Sequence, residues 1–256
     1  MQFAQVDKQA AVAVLPVGAI EQHGPHLPVS VDTTILVGLI DRLVESMPDE
    51  LLAYFLPVLP YGKSNEHADF PGTLSLSGET LLSVVLEIGA SVAASGFRRL
   101  VLLNSHGGQS PVLDIAARDL RIKHNMLVVS SNWFSLGMPE GLFSERELNH
   151  GVHAGQMETS VMQCLDPRHV DMSQAQDFVS LTEELAEENR HLSLKPGGKL
   201  GWKSQDLNPH GACGDARSAT PEAGQAVIDN AVQQIVALLQ EVARFPLSRL
   251  DRVPSL

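Results

Sequence analysis

Hydrophobic residues recur along the chain in two alternating rhythms. Short continuous apolar runs at residues 11–17 (AVAVLPV), 51–59, 99–104 (RLVLLN) and 126–130 read as strands. Between them, apolar residues return every three or four positions. Leu36, Leu39, Ile40, Leu43, Val44 and Met47 form one such series, Leu82, Val85, Ile88 and Val92 a second, and Val227, Ile235, Leu238, Leu239 and Val242 another. That spacing places one stripe of a helix against a core. Asp32 is expected to cap the first helix. Gly96 is expected to end the second, which spans 80–94. Ser110-Pro111 is expected to cap and open a third that runs to His124. Another helix is expected from near Ala154, carrying Glu158 and Met162, and a last one from Thr220-Pro221-Glu222 to Arg244. This alternation predicts an α/β sandwich with a mostly parallel sheet, and the unbroken run at 99–104 suits a strand covered on both faces. With no repeat or linker dividing it, the stretch 1–256 is expected to form a single domain. The segment 171–214 is the polar exception. Its acidic run (Glu183, Glu184, Glu187, Glu188) and Pro196-Gly197-Gly198 read as a solvated helix and loop, the alternative being a lid or a subunit contact.

Charge and cysteine content narrow the partners. Lys and Arg number 18 against 30 Asp and Glu, a net charge of −12. That is the wrong sign for a phosphate backbone or an anionic membrane surface, so neither nucleic acid nor membrane is expected. No apolar run approaches the ~20 residues of a membrane span, and no basic segment precedes an apolar leader. Two cysteines, Cys164 and Cys213, cannot build a disulfide framework. The expected setting is soluble and cytoplasmic.

The chemistry gathers in three clusters, each where a strand is expected to end. They are Glu21-Gln22-His23-Gly24-Pro25-His26 with Asp32 close behind, Asn104-Ser105-His106-Gly107-Gly108, and His153-Ala154-Gly155-Gln156-Met157-Glu158. Open α/β sheets bind ligands beyond the carboxyl ends of their strands, so the first two should converge. Each residue has a plainer reading alone: Asp32 as a cap, His106 in a turn, Glu158 facing solvent, His26 behind the site or in a loop. Together, imidazole and carboxylate donors suit Zn, Mn or Fe. One His and one carboxylate per ion, with one carboxylate shared, could hold two ions ~3.5–4 Å apart and clamp a hydrolytic transition state. The competing motifs are absent: no Gly-x-Ser-x-Gly elbow, no Gly-x-Gly-x-x-Gly fingerprint and no phosphate-binding Gly-x-x-x-x-Gly-Lys.

Six stretches in order resemble the creatininase (creatinine amidohydrolase) family. They are residues 15–28 (LPVGAIEQHGPHLP), Asp32-Thr33, Tyr61-Gly62 with Glu66-His67, residues 70–76 (FPGTLSL), 104–108 (NSHGG) and 153–160 (HAGQMETS). The likeness spans roughly residues 12–165, and beyond that only Gly214-Asp215 and Glu222-Ala223-Gly224 match. It implies a three-layer α/β/α sandwich and a pair of divalent ions (Zn, Mn or Fe), with Glu21 and His106 on one, His23 and Glu158 on the other, and Asp32 between them. It implies His153 as the proton shuttle and a homo-oligomer, with a hexamer favoured. Glu66, His67, Gly107 and Gly108 would meet substrate.

Two departures stand out. Creatinine-cleaving members carry a Glu where this chain has Gly108, and a Trp-Asp pair where it has Asn149-His150. The expectation is therefore hydrolysis of a small-molecule amide other than creatinine. His-Gly-Gly relatives include deformylases and a peptide-trimming member of mycofactocin maturation. Creatinine cleavage itself, an esterase or lactonase on the same site, and a catalytically silent metal-binding scaffold are the alternatives.

Overall fold

Every strand residue of β1 (Val12–Val17) is buried, and the two faces of the strand collect different partners. The computed structural model describes residues 2–251. Val12 and Val14 point to one face, Ala13, Leu15 and Val17 to the other, and β3 (Arg99–Asn104) repeats this with Val101 and Leu103 against Leu100 and Leu102. On the first face lie Ile35, Leu36, Leu39 and Leu43 of α1 (Val31–Ser46), with α5 (Gln156–Leu165) and α8 (Pro221–Arg244). On the second lie Leu81 and Val85 of α2 (Gly78–Ala94) and Leu113, Ala116 and Leu120 of α3 (Ser110–His124). The result is the three-layer α/β/α sandwich.

The sheet is parallel throughout, in the order β2-β1-β3-β4, with β2 at Ala53–Phe55 and β4 at Leu127–Asn132. From β1 the chain steps outward to β2 through α1, then crosses back over β1 to β3 through α2 on the opposite face. The connections after β1 and β3 therefore diverge and leave a crevice between the two carboxyl ends, where α/β sheets bind ligands. Smaller elements follow β4: α4 (Glu145–His150), β5 (Asp177–Phe178), α6 (Leu181–Glu188), β6 (Leu192–Ser193), β7 (Gly198–Lys199), α7 (Ser204–Leu207) and β8 (Gly214–Asp215). Gly224 of α8 lies so close to the Ser160 carbonyl of α5 that a Cβ there would collide with it.

Several expected boundaries move. Asp32 does not cap α1: it is the second helical residue, behind Ser30, and its carboxylate is buried in the crevice. The cap of α3 is Gln109, and Ser110 is its first residue. The second strand shrinks from 51–59 to Ala53–Phe55 because Pro57 and Pro60 lack the N–H a ladder needs, though Leu59 still bridges to Val17. α5 begins at Gln156, since Ala154 takes a left-handed φ of 53°. Gly96, at φ 96°, stands just past the end of α2 as expected. Among the described residues no helix is long and apolar enough to cross a membrane.

Candidate metal centre

The crevice draws side chains from four places. Glu21 and His23 come from the loop after β1, Asp32 from the first turn of α1, His106 from the turn after β3, and Glu158 from the first turn of α5. Their donor atoms form two trios, Glu21/Asp32/His106 and His23/Asp32/Glu158, each with all its atoms within 4.8 Å of one another. Asp32 belongs to both. The ring orientations are fixed from outside. His23 Nδ1–H donates to the Glu21 carbonyl at 3.0 Å, leaving Nε2 4.0 Å from both Glu21 Oε1 and Glu158 Oε2. His106 Nε2–H donates to Glu66 Oε1 at 3.1 Å, leaving Nδ1 3.0 Å from Glu21 Oε2 and 3.9 Å from Asp32 Oδ2. Ser64 Oγ donates to Glu21 Oε2, and the Ala154 amide donates to Glu158 Oε2 at 2.5 Å.

These atoms are crowded, buried and under-partnered. Glu21 Oε1, His23 Nε2 and Asp32 Oδ2 are buried without a hydrogen bond. Burial, and then Glu21, push the Asp32 carboxyl well above its usual range, and burial raises Glu158. Burial would raise Glu21 too, but His106, His67 and His153 around it hold it well below. Burial, reinforced by His153, drives His23 well down. Burial works against the charged His106 ring, yet Glu21 and Glu66 hold it well above the ordinary range. Buried polar atoms without partners are costly unless something pairs them. Imidazole nitrogens and carboxylate oxygens in sets of three, with Glu158 still 16% exposed on its side chain, fit divalent ions with open positions.

A second layer surrounds the trios. His153 Nε2–H donates to the Gln22 carbonyl at 2.8 Å, so Nδ1 faces Glu21 Oε1 at 3.7 Å. Its ring lies 4.2 Å from that of His23 and 4.4 Å from that of His67. Glu21, His23 and His153 form a third ligand-competent trio, so distance alone permits His153 to be a ligand as well as a shuttle. The Gln22 side-chain nitrogen lies 2.7 Å from His67 Nδ1, 2.9 Å from Ser204 Oγ and 2.8 Å from the Gly211 carbonyl. His67 Nε2 then faces Glu21 Oε1 at 3.7 Å. Burial, then His153, lower His67 to about 3.

The segment 171–214 is solvated only in part. Glu184, Glu187 and Glu188 are exposed, but Glu183 pairs with Arg146. Ser204 and Gly211 meet Gln22, Cys213 bridges His153, and the half-buried Trp202 ring stands edge-on to His67 at 6.0 Å.

Glu66 and His67 are buried, and the polar ends of both are engaged within the protein. Gly107 is exposed and Gly108 half-buried. The space that a side chain at Gly108 would take is occupied by the Glu66 carboxylate. His26 is buried behind the site, its Nε2 2.9 Å from Thr159 Oγ1. Asn149 and His150 turn to Lys195 and Thr182. Sequence reasoning passed over Gln22, Lys63 and Ser64. Gln22 stood inside the first cluster between Glu21 and His23, a signal that was available. Ser64 carried none.

Residues 1–239 match the family described as creatinine amidohydrolase. The chain is 34% identical over 234 residues to the mycofactocin precursor peptide peptidase of Mycobacterium ulcerans, covering 88% of this chain and 82% of that one. It is 32% identical over 254 residues to the creatinine amidohydrolase of Pseudomonas putida, covering 93% and 92%. Among solved structures it resembles a manganese creatininase (TM-score 0.73, 28% identity, 94% of each chain) and a Zn-Zn form of a creatininase variant (TM-score 0.72, 28% identity, 94% and 93%). With a family match over nearly its whole length and the same fold as these neighbours, the chain belongs to the creatininase family of amidohydrolases.

Proposed function

We propose that the protein hydrolyses an amide C–N bond in a substrate other than creatinine, using two divalent ions. The observation that carries this reading is the sharing of Asp32 between two ligand-competent trios. Glu21, Asp32 and His106 would hold one ion, and His23, Asp32 and Glu158 the other. Bound there, such ions supply a water acidic enough to ionise near neutral pH and an electrophile for a carbonyl oxygen. The protein's own part is orientation and proton transfer. The Gln22 carbonyl fixes the Nε2–H tautomer of His153 and leaves Nδ1 open toward the cluster. Nδ1 takes the proton from the attacking water and returns it to the leaving nitrogen. His67, held by Gln22, keeps its Nε2 on Glu21.

The departures from creatinine-cleaving members support a different substrate. Glu66 is spatially close to position 108, but His106 takes one of its oxygens and Lys63 the other, so it is not a free carboxylate. Asn149 and His150 are engaged with Lys195 and Thr182 and offer no indole cover. N-formyl, ureido and peptide amides are the classes to assay, with the likeness to a peptide-trimming relative favouring the last. The test is turnover of that panel and of creatinine by the metal-loaded protein. Turnover of a peptide or acyclic amide with creatinine unreacted is expected. Creatinine turnover of ~10 s⁻¹ or more, the median for enzymes on their own substrates, would make the protein a creatininase in the strict sense.

A further inference from the structure

Gly108 follows the His106 ligand by two residues, and nothing in its backbone demands glycine. It lies in the single 3-10 turn Gly107–Gln109, outside the left-handed region. Its side-chain space, however, is taken. A Cβ at position 108 would fall on Glu66 Oε1, 2.7 Å from Glu66 Cδ and 2.5 Å from His106 Nε2. Glu66 reaches this point from a different loop and is fixed there twice. Its Oε1 accepts from His106 Nε2–H at 3.1 Å, and its Oε2 accepts from Lys63 Nζ at 2.6 Å. Lys63 is itself anchored to the same turn. Its amide donates to Gln109 Oε1 at 3.0 Å and its Nζ to the Gly108 carbonyl at 3.4 Å. Gln109 is fully buried and holds the turn to β1 and β3 by donating to the Gly18 carbonyl at 3.0 Å and Asn104 Oδ1 at 2.8 Å.

We infer that Glu66 is a positioning residue for His106, that Lys63 sets Glu66, and that position 108 is glycine because the Glu66 carboxylate occupies its side-chain volume. Resting on the two-ion reading, this assigns Glu66 to the protein side of the centre rather than to substrate. A carboxylate on the far nitrogen of a ligating imidazole fixes its tautomer and direction and makes it a stronger donor. Here it commits Nε2 as the protonated nitrogen and aims Nδ1 at Glu21 and Asp32. The residue choices at 66 and 108 are then coupled: a side chain at 108 and a carboxylate at 66 exclude each other.

The test is a double-mutant cycle read by Zn²⁺ affinity, measured by competition with a chromophoric chelator, and by melting of the metal-free protein. Glu66→Ala should weaken one of two Zn²⁺ ions by about 10–100-fold, the usual cost of losing such a partner, and leave the other unchanged. Glu66→Gln, which can still accept from His106, should lose less. Gly108→Ala should displace the carboxylate and reproduce the Glu66→Ala loss. The double variant should be no worse than the poorer single, since neighbouring sites that share one interaction are not additive. In the metal-free protein, Gly108→Ala should lower the melting temperature only when Glu66 is present. Unchanged Zn²⁺ affinity in Glu66→Ala would overturn the positioning role. Losses that multiply in the double variant, or equal melting shifts in both backgrounds, would overturn the shared space. Wild type binding no Zn²⁺ would overturn the two-ion reading and the positioning role with it, while the metal-free melting cycle would still decide the shared space.

Discussion

At the scale of single residues, the proposed ligands differ from the proposed proton shuttle in how each imidazole is held. His23 and His106 each donate one ring nitrogen to a fixed acceptor, a backbone carbonyl and Glu66, and turn the other toward two carboxylates. His153 is also anchored at one nitrogen, but the other faces a single carboxylate oxygen at 3.7 Å. On that difference, His153→Ala should keep the bound metal and lose ~10²–10⁴-fold in turnover, the usual worth of a general acid/base. His106→Ala should lose metal as well as turnover. Metal analysis of both purified variants beside their rates decides it, and a His153→Ala protein stripped of one ion would make His153 a ligand. The two proposed imidazole ligands could be picked out in the sequence because each stands beside a glycine or a second donor at a strand end. The support of His106 was not, because Glu66 lies 40 positions away in sequence.

Elements set these residues in place, and α5 shows how. Its first turn carries Glu158, and its amino end is held by a buried carboxylate from α4. Glu147 accepts from the Gln156 amide at 2.6 Å and the Asp215 amide at 3.1 Å, and its charge sits favourably at a helix amino terminus. Burial raises its pKa despite these bonds. Gly151, Gly155 and Gly214 crowd around the carboxylate, and a Cβ at any of them would meet it. Glu147→Ala would leave buried amides unpartnered, at about 1–3 kcal/mol. Melting should fall by ~2–4 °C for each kcal/mol lost, with weaker metal binding at the His23/Asp32/Glu158 position. An unchanged melting temperature would remove Glu147 from this role. The elements most readily read from sequence were those with long apolar periods: α1, α2, α8, β1 and β3. α4 escaped because its six residues (ERELNH) carry too few apolar positions to show a period, and its function lies in one buried Glu. The boundary at Asp32 slipped from the cap to the second helical position for a related reason. A carboxylate at a helix start reads as a cap whether it bonds the backbone or faces a ligand.

For the whole molecule, the centre concentrates buried charge at the point where the sheet's connections diverge. Glu21, Asp32 and Glu158 share one crevice between two apolar layers, in a chain whose net charge is already −12. Without a cation, folding must bring carboxyl groups together away from water, and Asp32 responds by holding its proton well above the usual range because it is buried and beside Glu21. Ions that bind the folded crevice, and not the unfolded chain, therefore stabilise the fold by mass action. At a free metal concentration of about 100 times the dissociation constant, one site contributes about 2.7 kcal/mol. For a chain of this size that is on the order of 5–10 °C in melting temperature. Chelation of the purified protein should lower its melting temperature by that order, and restoring Zn²⁺ or Mn²⁺ should raise it again. Asp32→Ala provides the control that ties the effect to this crevice. Because Asp32 belongs to both trios, its loss should abolish the metal-dependent shift rather than halve it, and the metal-free variant should melt no lower than metal-free wild type, since one buried carboxylate has been removed. A variant that kept half of the shift would mean that each trio holds its ion without Asp32, and the shared carboxylate would then not be what joins them.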